Sequence, residues 1–351
     1  MNLVSDEILI DTGQQSPINE AIYPSFDEFG FWDPSSWTKG HPFNLYRQMR
    51  QQAPVMWSAA PKEFSGFWSV TRYQDIKEVE LAHRVFSSER GSINMMVADR
   101  KYWKPEKLAP AAFNSLINLD APSHMEMRMQ QSEFFFPGYV ATLQDKVGVK
   151  IDQLLEDLER KGPVVDFAKL FSEELPLFTL CEMLGIDEEV RPRIKLWMHH
   201  LELASQFLAN PCQTFLSEPL FPFRFNSVVK EMFAYGERVM ADRRTNPRED
   251  LLTVIAQSKL DGEILSQEYL DGSWLLIIFA GNDTSRNSLS GTIRLMTEFP
   301  DQRAMVLEDP SLIPKMSEEA LRMVSPVIHM RRTAVEDTEL NGQPVAKDEK
   351  V

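Results

Sequence analysis

Between Trp274 and Ser285 the chain reads Trp-Leu-Leu-Ile-Ile-Phe-Ala-Gly-Asn-Asp-Thr-Ser, an apolar run that ends in a polar cluster before a helical pattern resumes to Glu298. Ser266 stands where an N-cap belongs, Glu268 falls in the first turn, and Pro300 is a stop signal. The spacing predicts one helix over about 266–299. At about 1.5 Å per residue it spans ~50 Å, enough to cross a whole domain. Gly281, Asn282, Asp283 and Thr284 carry a local cost inside it, since Gly weakens a helix interior and buried polar groups need partners. Costs of that kind mark function. The Thr284 hydroxyl can turn back to the Ala280 carbonyl, and Gly281 leaves room for a small ligand or water. A local opening of the helix is expected there. Taken alone, Ala-Gly-x-Asp-Thr equally fits a Gly kink with a solvated Asp and a back-bonded Thr.

Two further motifs stand at a distance. Glu319-Ala-Leu-Arg322 lies downstream at helical spacing, and Asp120-Ala-Pro-Ser-His124-Met-Glu-Met-Arg128 opens another helix upstream. In this order and at these separations the three motifs resemble the cytochrome P-450 superfamily of haem-thiolate monooxygenases, over roughly residues 25–351. The resemblance implies a mainly α fold with small β-sheets around the long central helix, incomplete at the C-terminus. It implies haem b as cofactor.

Each motif also has a plain reading. Glu319 and Arg322, at i and i+3, form an exposed ion pair on most helices. In the family the pair is a buried structural lock behind the haem, and the following Val-Ser-Pro-Val and Arg331-Arg332-Thr-Ala-Val-Glu-Asp fit that pattern. His124 and Arg128, one turn apart, share a helix face that is either solvated or converges on an anion. In the family that anion is a haem propionate, and Arg332 aligns with a further propionate partner, suited by its planar fork. Arg331, beside it, is a weaker candidate for the same role.

The family's iron ligand is a Cys thiolate on a Gly-rich loop near the C-terminus. The chain has two cysteines, Cys181 in an apolar helical stretch and Cys212 in Asn210-Pro-Cys-Gln-Thr, and neither has that context. No metal ligand is assigned. The chain is expected to be truncated before the ligand loop, with residues 1–24 an irregular lead and 25–351 a single monooxygenase domain lacking its C-terminal part.

A net charge of −15, from 37 basic and 52 acidic residues, argues against nucleic-acid binding. Two cysteines supply no disulfide framework and fit a reducing compartment. Met1–Ile10 lacks the basic flank and long apolar run of a signal peptide or membrane anchor, so a cytoplasmic enzyme is expected.

Periodicity predicts helices at 42–52, 73–83, 122–135, 140–160, 168–184, 188–208, 224–244 and 249–258, and a strand pair at 55–60 and 66–73. Residues 91–119 read as a long loop with one short helix. In the family this loop and the Pro- and Phe-rich connection 210–225 form the substrate lid, although most of those Phe residues fit simple packing onto the core. Both walls are apolar, which implies an apolar substrate, and the resemblance implies one of the alkane, fatty acid, terpenoid or steroid class.

The resemblance gives Thr284 the role of hydrogen-bonding the dioxygen under reduction, Asp283 that of relaying protons, and Ala280 and Gly281 that of flanking the haem. With no flavin or nicotinamide fingerprint in the chain, electrons are expected from a ferredoxin and its reductase. Asp283-Thr284 speaks against a peroxygenase branch, which carries Arg and Pro there. An all-α isoprenoid synthase is disfavoured, because the magnesium motif suggested by Asn282-Asp283 does not continue. A remnant that only binds apolar ligands is the remaining alternative.

Overall fold

The structure, a computed structural model, describes residues 40–58, 66–90, 107–209 and 216–351. In chain order the elements are α1 (Phe43–Gln52), β1 (Val55–Ser58), β2 (Phe67–Val70), α2 (Tyr73–Leu81), β3 (Phe86–Ser87), α3 (Leu108–Phe113), α4 (Ser123–Gln131), α5 (Pro137–Lys161) and α6 (Glu174–Leu184). Next come α7 (Arg191–Ala209), α8 (Phe221–Thr245), α9 (Leu251–Gln257), β4 (Lys259–Leu260), β5 (Glu263–Ile264) and α10 (Gln267–Glu298). α11 (Pro300–Glu308), α12 (Ile313–Val324), β6 (Thr333–Ala334), β7 (Thr338–Leu340) and β8 (Gln343–Val345) follow. The mainly helical class with small sheets is as the residues imply. Ser266 occupies the N-cap of α10 in extended conformation, but its side chain makes no capping bond. Pro300 ends one helix and, with its φ already helical, starts the next, an element the stop signal alone does not reveal. The turn at 61–65 lies outside the described residues.

Two units divide the chain, one of residues 1–101 and 330–351 and the other of 102–329. In the first, β1 pairs antiparallel with β2 (Val55 opposite Val70), β3 with β6 (Phe86 opposite Ala334) and β7 with β8 (Thr338 opposite Val345). Alternating residues of these strands meet as a small core of Val55, Trp68, Phe86, Ala334, Leu340 and Val345. The buried Trp68 indole donates to Glu349 Oε2 at 2.8 Å, which satisfies a polar atom that would otherwise be stranded.

The second unit is built around α10. Trp274, 1 % exposed, lies against α8 where a Cβ on Gly236 would come within 2.6 Å of its ring, so only glycine admits the indole there. Its Nε1 donates to the Met232 carbonyl at 3.0 Å. Trp197 of α7 and Tyr235 pack on the same indole, with ring centroids 6.3 and 5.7 Å away. A buried ion pair ties three other helices together. Arg243 of α8 donates through Nε to Asp250 Oδ2 at 2.7 Å and through Nη2 to the carbonyl of Gly185, just past α6, at 3.0 Å. Asp250 also caps α9, its Oδ1 accepting from the backbone N–H and hydroxyl of Thr253, each at 2.8 Å.

Both members of that pair are 3 % exposed, so removing one leaves an uncompensated charge in the core. Asp250→Ala should therefore cost about 3–5 kcal/mol in urea unfolding, and Asp250→Asn, which can still cap α9, clearly less. Equal losses in both variants would show that the ion pair, not the cap, carries the stability.

Candidate active site on the long helix

Helix α10 is unbroken from Gln267 to Glu298, so the local opening expected at Gly281 is absent. The Thr284 hydroxyl instead donates to the Ala280 carbonyl at 3.1 Å, which relieves the polar cost without disturbing the backbone ladder. Leu270, Asp271, Gly272, Ser273, Trp274, Ile278 and Asn282 are the buried residues of this helix. Ala280 and Thr284 are only partly covered and Gly281 is exposed, so a stripe of small side chains one turn apart stays open in mid-helix. A planar ligand has access to that stripe. The direction a side chain would take from Gly281 is another matter, since a Cβ there would meet Leu180 Cδ1 of α6 at 3.0 Å. On that side the missing side chain makes room for α6, while the exposed Gly281 backbone stays part of the open stripe.

Asp283 faces elsewhere, as neighbouring helix positions must. Its Oδ1 accepts from Arg286 Nη2 and, at 3.2 Å, from Asn287 Nδ2. Arg286 Nη2 also contacts Glu202 Oε1 of α7 at 2.9 Å, so one guanidinium serves two carboxylates. Burial pushes the Glu202 carboxyl above its usual range, with Arg286 opposing and Asp283 reinforcing the shift. Burial pulls Arg286 down, but the two carboxylates outweigh it and the net shift is upward. Sequence reasoning missed both residues. The Asp283-x-x-Arg286 spacing was readable, but nothing in the sequence points to Glu202.

His124 and Arg128 lie on α4, in the same unit as α10. Burial, then the Arg128 charge, lower the His124 imidazole, with Asp120 opposing. Arg128 is exposed and makes no ion pair among the described residues, which leaves its charge available to an anion. Arg332, in the other unit, is engaged: its Nη2 meets Glu80 Oε2 at 2.9 Å and its Nη1 donates to the Arg331 carbonyl at 2.9 Å. A carboxylate ligand would have to displace Glu80. Arg331 is buried, which lowers its guanidinium to about 10.

Glu319 and Arg322 form a two-point fork, Nε to Oε2 at 2.7 Å and Nη2 to Oε1 at 2.6 Å, but their side chains are 60 % and 66 % exposed. The pair is thus exposed in this structure, where the resemblance implies a buried lock. α12 packs on α10 through its other side, where Ala320 is buried and Val324 lies against Gly291, and the charged side is left to solvent. The fork still lowers the Glu319 carboxyl and raises Arg322.

Cys181 is fully buried in the apolar core and its thiol is pushed up to about 11 by burial, against the nearby Arg191. A thiol so placed is a poor metal ligand. Cys212 lies outside the described residues, as do 91–106 and 210–215 of the expected lid. Among its described part, Phe221 is core, packed on Phe225 at 5.3 Å, whereas Phe223 is 78 % exposed. No group of three His, Cys, Asp or Glu among the described residues could hold a metal ion. The exposed Arg128 would suit a haem propionate and the small residues of α10 the ring, and no described residue supplies an iron ligand. No helix among them is long and apolar enough to cross a membrane.

Two results follow. Glu319→Ala should melt indistinguishably from the parent, because an exposed i,i+3 pair contributes little, and a large loss would restore the buried lock. In a Cys212→Ser background Cys181 should resist iodoacetamide at pH 8 until the protein is unfolded. Fast native alkylation would contradict the burial of its thiol.

No family model matches the chain. Among individual proteins it is 30 % identical over 320 residues to linalool 8-monooxygenase of Pseudomonas putida, covering 91 % of this chain and 76 % of that protein. It is 27 % identical over 350 residues to steroid C26-monooxygenase of Rhodococcus jostii, covering 98 % and 70 %. Among solved structures, a Mycobacterium marinum cytochrome P450 in complex with pseudoionone superposes with a TM-score of 0.77 at 28 % identity, covering 92 % of this chain and 76 % of the other. A Novosphingobium aromaticivorans cytochrome P450-153 gives 0.75 at 28 %, covering 91 % and 77 %. These likenesses set aside the isoprenoid-synthase alternative. With a 30 % identical relative matched along most of both sequences, on a fold that places the Asp283-Thr284 cluster in mid-helix, the chain belongs to the cytochrome P450 family of haem-dependent monooxygenases.

Proposed function

We propose that the chain hydroxylates an apolar substrate of the terpenoid, steroid or branched-lipid class, with Thr284 and Asp283 handling protons beside the haem. The observation that carries this reading is the open mid-helix stripe of Ala280, Gly281 and Thr284, flanked by a carboxylate one residue away. The relatives named for linalool, steroid and methyl-branched lipid oxidation support the substrate class. When bound, haem activates dioxygen so that one atom enters a C–H bond and the other leaves as water, at the expense of two electrons and two protons.

The residues of this chain govern where those protons go. Because the Thr284 proton is committed to the Ala280 carbonyl, Oγ1 presents lone pairs to the open stripe and accepts a hydrogen bond from a protonated partner there. Asp283 is partly exposed and can exchange protons with solvent, a task that needs reach more than strength. No hydrogen bond joins the two side chains, so transfer between them requires Asp283 to turn from Arg286. His124 and Arg128, one turn apart on α4, are assigned to a haem propionate. Reducing equivalents are assigned to a separate ferredoxin and its reductase, and dioxygen is the co-substrate.

In haem-loaded protein that carries the family's Cys ligand loop and is supplied with a surrogate ferredoxin pair, Thr284→Ala should keep substrate affinity within about twofold and divert most reducing equivalents into peroxide, since the hydrogen-bond acceptor beside the reacting oxygen is gone. Asp283→Asn should slow turnover about tenfold or more with less peroxide, because the proton supply is interrupted. Coupling and rate unchanged in both variants would remove the pair from the mechanism.

A further inference from the structure

The α7–α10 contact holds a charged group that the reading above does not use. Asp283 and Arg286 stand at i and i+3, and the same residue types at the same spacing occur on α5 as Asp157 and Arg160. On α5 no third group takes part among the described residues, and the side chains are 45 % and 75 % exposed. On α10 they are 29 % and 20 % exposed. The difference is Glu202 of α7, whose Oε1 takes the Arg286 guanidinium at 2.9 Å and draws it across the seam. Beside it, Asn282 Nδ2 donates to Met198 Sδ at 3.3 Å, so this side of α10 is in direct contact with α7.

We propose that Glu202 is a positioning residue for Asp283: by sharing the Arg286 guanidinium it sets how firmly Asp283 is held, and so how readily that carboxylate turns to deliver a proton. The groups that face this cluster are Glu202 and His199 from α7, and Asp283, Arg286 and Asn287 from α10. The two carboxylates share one guanidinium nitrogen, so a change at one alters the hold on the other. When Glu202 is ionised, part of the guanidinium is engaged across the seam and Asp283 competes for it. When Glu202 is protonated, Arg286 closes on Asp283 alone and holds it from the relay. The proton supply should therefore weaken as pH falls through the Glu202 titration.

This role rests on the monooxygenase reading, and the test separates the two. Carboxyl carbon-13 NMR of glutamate-labelled chain, with the Glu202 signal identified by its loss in Glu202→Gln, reads the coupling without haem. Asp283→Asn should lower the Glu202 midpoint by about half a pH unit or more, and Arg286→Gln should raise it. A midpoint unmoved by either change overturns the shared guanidinium. In haem-loaded protein Glu202→Gln should lower kcat about threefold or more and leave KM within about twofold. Glu202→Asp, which keeps the charge, should recover most of the rate, and Glu202→Gln should add nothing in an Asp283→Asn background. An undiminished kcat in Glu202→Gln, or losses that simply multiply, overturns the positioning role. A parent that turns over no substrate while the midpoint shifts as stated overturns the function, and this role with it, but leaves the coupling measured.

Discussion

The seat of Trp274 against α8 is the constraint on which the rest of the larger unit depends. An indole buries roughly 150–250 Å² of surface, so a Trp set in mid-helix fixes where that helix can lie. Gly236 lets it approach the α8 backbone, the Met232 carbonyl takes its N–H, and Trp197 and Tyr235 close over it. With α10 fixed at that point, the residues two to three turns on are placed by helix geometry alone. Ala280, Gly281 and Thr284 then form the open stripe, and Asp283 and Arg286 turn toward α7.

The division of that helix into a buried anchor and a half-open polar stretch resolves the conflict in its sequence. Polar groups in an apolar helix are costly when unpaired, and here nearly all are paired: Thr284 with Ala280, Ser288 with the Thr284 carbonyl at 2.8 Å, and Asp283 with Arg286 and Asn287. The Asn282 side-chain oxygen Oδ1 is the exception, buried without a partner among the described residues. The helix thus keeps its ladder intact while one face stays open and the next carries charge to a neighbouring helix.

Much of this was legible from local signals. The extent of α10, the back-bond of Thr284 and the helix carrying His124 and Arg128 follow from periodicity, breakers and one-turn spacing, and they lie where those signals put them. What local signals could not supply was partners distant in the chain. Leu180 beside Gly281, the solvent around Glu319 and Arg322, and Glu80 on Arg332 stand in no local signal. Glu202 carries no motif at all. Its place is set by how α7 packs on α10, and the Trp197–Trp274 contact that governs this packing is an aromatic pair no spacing rule predicts.

Isotope tracing tests the monooxygenase reading most directly. Haem-loaded protein given a terpenoid or steroid substrate, a surrogate ferredoxin pair and ¹⁸O-labelled dioxygen should yield a hydroxylated product that carries one labelled oxygen, with no label when only the water is ¹⁸O-enriched. Label arriving from water, or hydroxylated product formed equally well without dioxygen, would contradict the assignment of the α10 cluster to dioxygen chemistry.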